Sequence, residues 1–351
     1  MFVGTCGFGS TGSSAVSDYL KEFDCNHVLD KIEFTIAYGT DGLTDLERHL
    51  MFPTGRAAEG TAAIIRFRLK MKNDARYLSS KRKTGLSVDQ ISKITDEYLD
   101  SITQLYWKGY QNYKNSFWHL QFGRRVMKSR IVPLIEKITK KKYLWYPFED
   151  LPFSVKPENF YSESQKFIKR LLTAMNADFS KNIVMDQPFS GPNPQASFPF
   201  FDDPFAIVVD RDPRDNYIFA KTKLRGVYTF MPTENVHDFI KYYRASRDNQ
   251  PYKSSDKRVM NIQFEEMVYD YDSATEKIRN FLGLPVNPCP KSIFDPALSV
   301  ANTQTFKRFP QFNDEVRIIE KELPEYLFDF GKYPEPDLTG EMFYGKSPKN
   351  N

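Results

Sequence analysis

Short apolar runs punctuate the chain and set its period. Residues 2–6 (FVGTC), 182–186 (NIVMD), 205–210 (FAIVVD) and 258–264 (RVMNIQF) each predict a strand. The last two are nearly continuous, as in strands covered on both faces of a parallel sheet. Lys31–Ile36 (KIEFTI) predicts a second strand in chain order. From Ser14 to Phe23 the period lengthens, and Ala15, Val16, Tyr19 and Leu20 fall on one helical face. Residues 44–145 predict mostly helix. There Ser87-Val-Asp-Gln90 is a capping box, followed by Ile91, Ile94, Tyr98, Ile102, Leu105 and Tyr106 on one face. A late helix is predicted over 273–282, with a capping box Ser273-x-x-Glu276, an apolar face of Ile278, Phe281 and Leu282, and a stop at Gly283 before Pro285.

Strands alternating with helices predict an α/β fold around a central parallel sheet. The 44–145 segment breaks the alternation and reads as a helical insertion over the carboxyl ends of the strands, where such sheets bind ligands. The expected organisation is a single domain over 1–335 and a loosely held tail over 336–351.

Composition narrows this picture. With 351 residues the chain buries a sizeable core. Net charge is only +4, so basic patches are local: RFRLKMK at 66–72, SKRK at 80–83, GRRVMKSR at 123–130 and KKK at 140–142. Each reads as a solvated helix face or as an attractor for an anionic acceptor. The interleaved aromatics suit sugar stacking and an aromatic core equally. Cys6, Cys25 and Cys289 form no CxxC pair, which argues against a disulfide framework and zinc and fits a reducing compartment. No apolar run reaches transmembrane length and no signal-peptide pattern opens the chain, so the expected location is cytoplasmic.

The first strand runs into Gly7-Phe8-Gly9-Ser10-Thr11-Gly12-Ser13-Ser14. Backbone N–H groups of a glycine turn at a helix N-terminus hold phosphate oxygens, with hydroxyls of Thr11, Ser13 and Ser14 as further donors. The bland alternative is a flexible Gly/Ser turn. A nucleotide-hydrolysing loop, GxxxxGK[ST], needs a lysine where Ser13 stands. A second motif, Val209-Asp-Arg-Asp-Pro-Arg-Asp215, ends a buried strand and reads either as a phosphate grip by Arg211 or as a salt-bridged turn of Arg211 and Arg214 with Asp210, Asp212 and Asp215.

In order, GSTGSS, RDPRD and FEEMVYDYDSATEKIRNFLGLP (264–285) resemble the sulfotransferases that use 3′-phosphoadenosine 5′-phosphosulfate (PAPS), nearest the bacterial saccharide and capsule branch. The resemblance implies a P-loop three-layer fold with helices on both faces of the sheet. It implies PAPS bound by Gly9, Ser10, Thr11, Gly12, Ser13 and Ser14 at the 5′-phosphosulfate and by Arg211 at the 3′-phosphate, with no metal. The segment Ser299–Arg308 resembles the family's closing loop, which brings Lys307 and Arg308 to the donor; the alternative is an ordinary surface loop.

Two positions depart from the family. The basic residue of its K-x-G-[ST]-[ST] pattern is Ser10 here. Lys21, Arg124, Arg125, Lys307 and Arg308 are the candidates to replace it. The serine eight residues past Arg211 is Phe219, with Tyr217, Lys221 and Thr222 as possible substitutes. The acceptor hydroxyl needs a base. Glu33 lies 21 residues past Gly12 on a predicted strand, where the resemblance places a glutamate base; an exposed strand-end carboxylate is the alternative. His119 and His49 compete, His119 reading otherwise as a packed histidine in an aromatic run. Asp186 and Gln187 point at the same ligand edge.

The expected activity is transfer of a sulfuryl group from PAPS to a saccharide hydroxyl. The rivals are a nucleotide- or polysaccharide-binding module that has lost transfer and a kinase-like NTPase, which Ser13 disfavours. No nucleic-acid partner is expected. The acceptor, the oligomeric state and the substitute for the missing lysine stay open.

Overall fold

In the computed structural model, residues 1–55, 57–80, 85–109, 130–141, 149–223, 231–248 and 256–337 are described. His119, Arg124 and Arg125, most of the basic cluster at 123–130 and residues 338–351 lie outside them. The described strands are β1 (Phe2–Gly7), β2 (Asn26–Glu33), β3 (Leu105–Gly109), β4 (Glu149–Phe153), β5 (Asn182–Asp186), β6 (Pro204–Asp210) and β7 (Val259–Gln263). The helices are α1 (Ser13–Leu20), α2 (Leu43–Met51), α3 (Ala57–Ser80), α4 (Val88–Ile102), α5 (Val132–Thr139), α6 (Phe160–Ala174), α7 (Pro213–Lys223), α8 (Val236–Ala245), α9 (Phe264–Tyr269), α10 (Tyr271–Leu282), α11 (Pro296–Ser299) and α12 (Asn313–Glu322). The chain divides into two compact units, Met1–Tyr38 with Met175–Asn351, and Gly39–Ala174.

The first unit holds a five-stranded sheet in the order β2-β5-β1-β6-β7. Every pairing in it is parallel. The chain leaves β1 for one edge and later crosses from β5 to β6 on the other side of β1. That reversal opens a crevice at the carboxyl ends of β1 and β6, the position where open α/β sheets bind ligands. Val3, Val184, Ile207, Val209 and Ile262 of the sheet pack with Val16, Tyr19 and Leu20 of α1 and with Met267, Ala274 and Ile278 of α9 and α10 in one buried cluster. A 2.7 Å hydrogen bond between the hydroxyls of Thr5 and Ser17 ties β1 to α1 in this layer. A second cluster joins Tyr217 and Ile218 of α7, Phe239 and Tyr243 of α8 and Ile319 of α12.

Several boundaries differ from the sequence pattern. Helix α10 starts at Tyr271, and its N-cap is Asp270 with no side-chain cap. Ser273 is already helical because α9 runs to Tyr269 and leaves one residue between the helices. Strand β2 begins at Asn26, whose amide oxygen accepts from Asn182 across 3.0 Å, and it ends at Glu33 rather than Ile36. Ser87 caps α4 through the expected box, with Gln90 reciprocating.

The second unit is not helical throughout. Leu105 and Tyr106 leave the face of α4 and pair in antiparallel register with Phe153 and Pro152. Its aromatics build a core: the rings of Tyr98 and Phe167 stack at 4.6 Å, with Phe67 edge-on to both. The cluster at 66–72 forms ion pairs, Arg66 with Asp41, Arg68 with Asp96 and Lys70 with Asp74. These charges are a solvated, paired face rather than a free basic patch. Among the described residues no helix is long and apolar enough to cross a membrane.

Candidate functional site

The loop between β1 and α1 is built for close approach. Gly9, Ser10 and Gly12 hold positive φ of 86°, 54° and 87°. Such left-handed turns aim successive N–H groups into one concavity. Gly12 has a second reason to be glycine, since a Cβ there would stand 2.5 Å from the Phe264 ring. Gly7 is closed likewise, by Thr11 Oγ1 at 2.3 Å. Among the described residues, no protein acceptor receives the N–H groups of residues 9–14. They face outward at the positive end of α1, the arrangement that binds an anion.

The three hydroxyls of the loop differ. Thr11 is buried, and its Oγ1 accepts from the Phe8 N–H at 3.2 Å, so it braces the loop from within. Ser13 is half-buried and Ser14 exposed. The amide of Gln187 spans the loop. Its Oε1 accepts from the Gly7 N–H at 3.2 Å, and its Nε2 donates to Ser13 Oγ at 3.1 Å. Gln187 itself takes a left-handed φ of 50° to reach them.

Arg211 follows β6 and enters this same loop. It is 5% exposed. Its Nη1 donates to the Ser10 carbonyl at 3.2 Å and its Nη2 to the Asn302 carbonyl, while its Nε has no partner. Among the described residues no carboxylate pairs with it. The guanidinium lies 5.5 Å from the Phe219 ring centroid and 5.3 Å from that of Phe264. Asp215 and Glu265 lie close enough to feel its charge, but neither bonds it, and its Nε donor stays unused.

Arg214 behaves in the opposite way. Its fork takes both oxygens of the buried Asp212, and it also pairs with Glu320 at 2.9 Å. The salt-bridged turn is thus Arg214's arrangement and not that of Arg211. Asp215 closes the other end of the motif. Its carboxylate accepts from Gln304 N–H at 2.7 Å, Thr305 Oγ1 at 2.8 Å and Phe306 N–H at 3.2 Å. The segment Ser299–Arg308 is therefore pinned to RDPRD. Thr303, Gln304 and Thr305 are buried, unlike residues of an ordinary surface loop. Arg308 donates to the Ala301 carbonyl, one peptide before the oxygen that Arg211 takes. Lys307 turns away and pairs with Glu335 at 2.5 Å.

Two residues at the loop carry no short-range sequence signal. Asn216, buried on α7, donates from Nδ2 to the Gly9 carbonyl at 3.1 Å. Arg247, 1% exposed, grips Asp210 through two bonds of 2.8 and 2.6 Å and lies 4.0 Å from the Phe8 ring centroid. A polar residue within RDPRDN was the only hint of the first. The second pairs across 37 residues of chain.

Of the substitutes considered for the lysine at Ser10, Arg124 and Arg125 lie outside the described residues, and Lys21 and Lys307 make ion pairs of their own. Lys21 caps the far end of α1 and pairs with Asp18 and Asp30. Tyr217 and Lys221 both meet Glu315, and Thr222 bonds back to Ile218, so none of them takes the place of a serine at 219. Phe219 instead supplies the face of a ring to Arg211.

Glu33 is exposed and pairs in register with Asp186, which also faces Thr5 of β1. It therefore stands at the same sheet edge as the loop. The Tyr38 phenol lies near Cys6, Glu33 and Asp186, and burial first, then these neighbours, push its pKa well above the ordinary value. His49 belongs to the second unit, where its Nδ1 meets Glu59 at 2.8 Å.

No protein-family profile matches the chain, and no curated protein sequence does. Two solved structures resemble it. One is a sulfotransferase domain from the curacin biosynthetic pathway, 11% identical, with a TM-score of 0.34 over 82% of this chain and 75% of that one. The other is the sulfotransferase STF9 from Mycobacterium avium, 12% identical, with a TM-score of 0.36 over 95% of this chain and 77% of that one. At such values the functional reading rests on this chain's own residues.

Those residues bring together loop N–H groups at a helix end, the hydroxyls of Ser13 and Ser14, and a buried guanidinium that bonds the loop's Ser10 carbonyl. Loop N–H groups without a protein acceptor among the described residues, beside an unused guanidinium N–H, fit an anionic ligand.

Proposed function

We propose that the chain is a sulfotransferase that takes PAPS as donor and a saccharide hydroxyl as acceptor. The observation that carries this reading is Arg211, a buried cation with an unused Nε donor that touches the glycine loop. A donor with phosphate groups at both its 5′ and 3′ ends engages both features at once. The 5′-phosphosulfate meets the N–H groups of residues 9–14 with Ser13 and Ser14. The 3′-phosphate meets Arg211, with Arg308 beside it on the next carbonyl. In transfer, the acceptor oxygen attacks sulfur, the bond from sulfur to the 5′-phosphate oxygen breaks, and adenosine 3′,5′-bisphosphate leaves with that electron pair. The hydroxyl proton goes to Glu33. The saccharide class is what the resemblance of the GSTGSS, RDPRD and 264–285 motifs implies.

A second reading, a binding module of the same fold that does not transfer, is supported by the absence of a lysine at Ser10 and Ser13. The two separate on product formation. The donor site itself is tested by calorimetric titration with adenosine 3′,5′-bisphosphate beside ADP and magnesium ATP. Tight binding of the bisphosphate alone is the expected result. Equal binding of all three, or preference for magnesium ATP, contradicts the reading.

A further inference from the structure

Helix α5 buries none of its residues. Ile131, which caps it, and Leu134, Ile135 and Ile138 are exposed by 40%, 58%, 42% and 73%. Their spacing of i, i+3, i+4 and i+7 puts all four on one face. An apolar stripe of this kind on an outer helix marks an interaction surface. The charges around it say which. Over residues 130–141 the cations are Arg130, Lys137, Lys140 and Lys141, all exposed, against a single acid, Glu136. Among the described residues none of those four cations forms an ion pair.

We propose that α5 docks on an anionic lipid bilayer, lying in the headgroup plane with its apolar stripe inserted and its lysines on lipid phosphates. Eight residues of helix extend only about 12 Å, far short of a span, so the helix lies on the surface. Basic residues on the polar face of an exposed amphipathic helix are the pattern of interfacial binding. A second copy of this chain fits less well. A symmetric pairing of the stripe brings four cations against four with one acid each, whereas anionic headgroups complement them. The proposal stands apart from the donor site, since no residue is shared.

The test is sedimentation of the full chain with vesicles of phosphatidylcholine alone and of phosphatidylcholine mixed with phosphatidylglycerol. The protein is expected to pellet with the mixed vesicles, not with the neutral ones, and to be released in about 1 M salt, where screening shortens to about 3 Å. Leu134→Ser with Ile138→Ser, and separately Lys137→Glu with Lys141→Glu, lower the partition by about tenfold or more. All four side chains are exposed, so circular dichroism stays that of the parent. Failure to pellet with anionic vesicles, equal pelleting with neutral ones, or a variant that binds like the parent overturns the proposal. So does a vesicle-free dimer that the serine variant dissociates, which gives the stripe to a second copy.

Discussion

The Arg211 guanidinium donates to the Ser10 carbonyl across 3.2 Å, joining two motifs that lie 201 residues apart in the chain. The carbonyl is part of the left-handed turn that directs the loop's N–H groups outward. The bond holds the cation beside the loop, and the loop keeps its turn through Gly9, Gly12 and the Thr11 brace. Phe219 and Phe264 flank the guanidinium, keep water from it and favour a fixed position over a flexible one.

Gly12→Ala is expected to damage both stability and donor binding. The residue sits at φ 87°, and its new Cβ meets the Phe264 ring at 2.5 Å. Left-handed strain and overpacking together cost about 2 kcal/mol or more. Thermal unfolding and calorimetry with adenosine 3′,5′-bisphosphate check this. An unchanged melting temperature would show that Phe264 moves aside freely.

Arg247→Ala removes the partner of Asp210 and the cation over Phe8. Leaving one half of a buried ion pair costs about 3 kcal/mol or more. Denaturant titration should show that loss, and Asp210→Asn combined with Arg247→Ala should recover part of it. Equal stability of the two variants would mean that the cost lies in lost packing rather than in the stranded carboxylate.

Burial, reinforced by the charge of Asp212, holds the Glu265 carboxyl well above its ordinary pKa. A raised folded-state value means that the folded chain keeps a proton which the unfolded chain has released. The stability so gained is complete below the ordinary carboxylate range and is lost as pH rises through the folded-state value. Glu265 Oε1 accepts the Asp212 N–H, a bond that glutamine also makes. Melting temperature plotted against pH should therefore fall less steeply above the ordinary carboxylate range in Glu265→Gln than in the parent. Parallel curves would remove Glu265 as the cause.

Glu33→Gln should leave bisphosphate affinity unchanged and lower turnover with a saccharide acceptor by about a hundredfold or more, the usual worth of a positioned base. Full activity would pass the role to another group, His119 among them. Competition for bound nucleotide and a product assay separate the two effects.

Much of the sheet was legible in the sequence. NIVMD became β5 without adjustment, and FAIVVD gained one residue, because a strand covered on both faces admits only apolar side chains. The loop was legible because positive φ leaves few choices but glycine. The RDPRD motif was legible as a site, yet its two arginines could not be told apart: Arg214 finds Asp212 and Glu320, and Glu320 lies 106 residues further on. Leu105 and Tyr106 continued the apolar period of α4 and still entered a strand, since β4 was there to pair with them. Asn216 and Arg247 stayed hidden for the same reason, since a contact made across distant chain leaves no periodicity to read. The roles of Lys307 and Arg308 came from resemblance alone, and only Arg308 lies beside Arg211's carbonyl acceptor.

The most direct measurement is the affinity of the parent and Arg211→Ala for adenosine 3′,5′-bisphosphate and for adenosine 5′-monophosphate. The parent should prefer the bisphosphate strongly. The variant should lose at least tenfold on the bisphosphate, about 1.4 kcal/mol, and little on the monophosphate, with its circular dichroism intact. Equal losses on both nucleotides, or no loss on either, would contradict a 3′-phosphate site at Arg211.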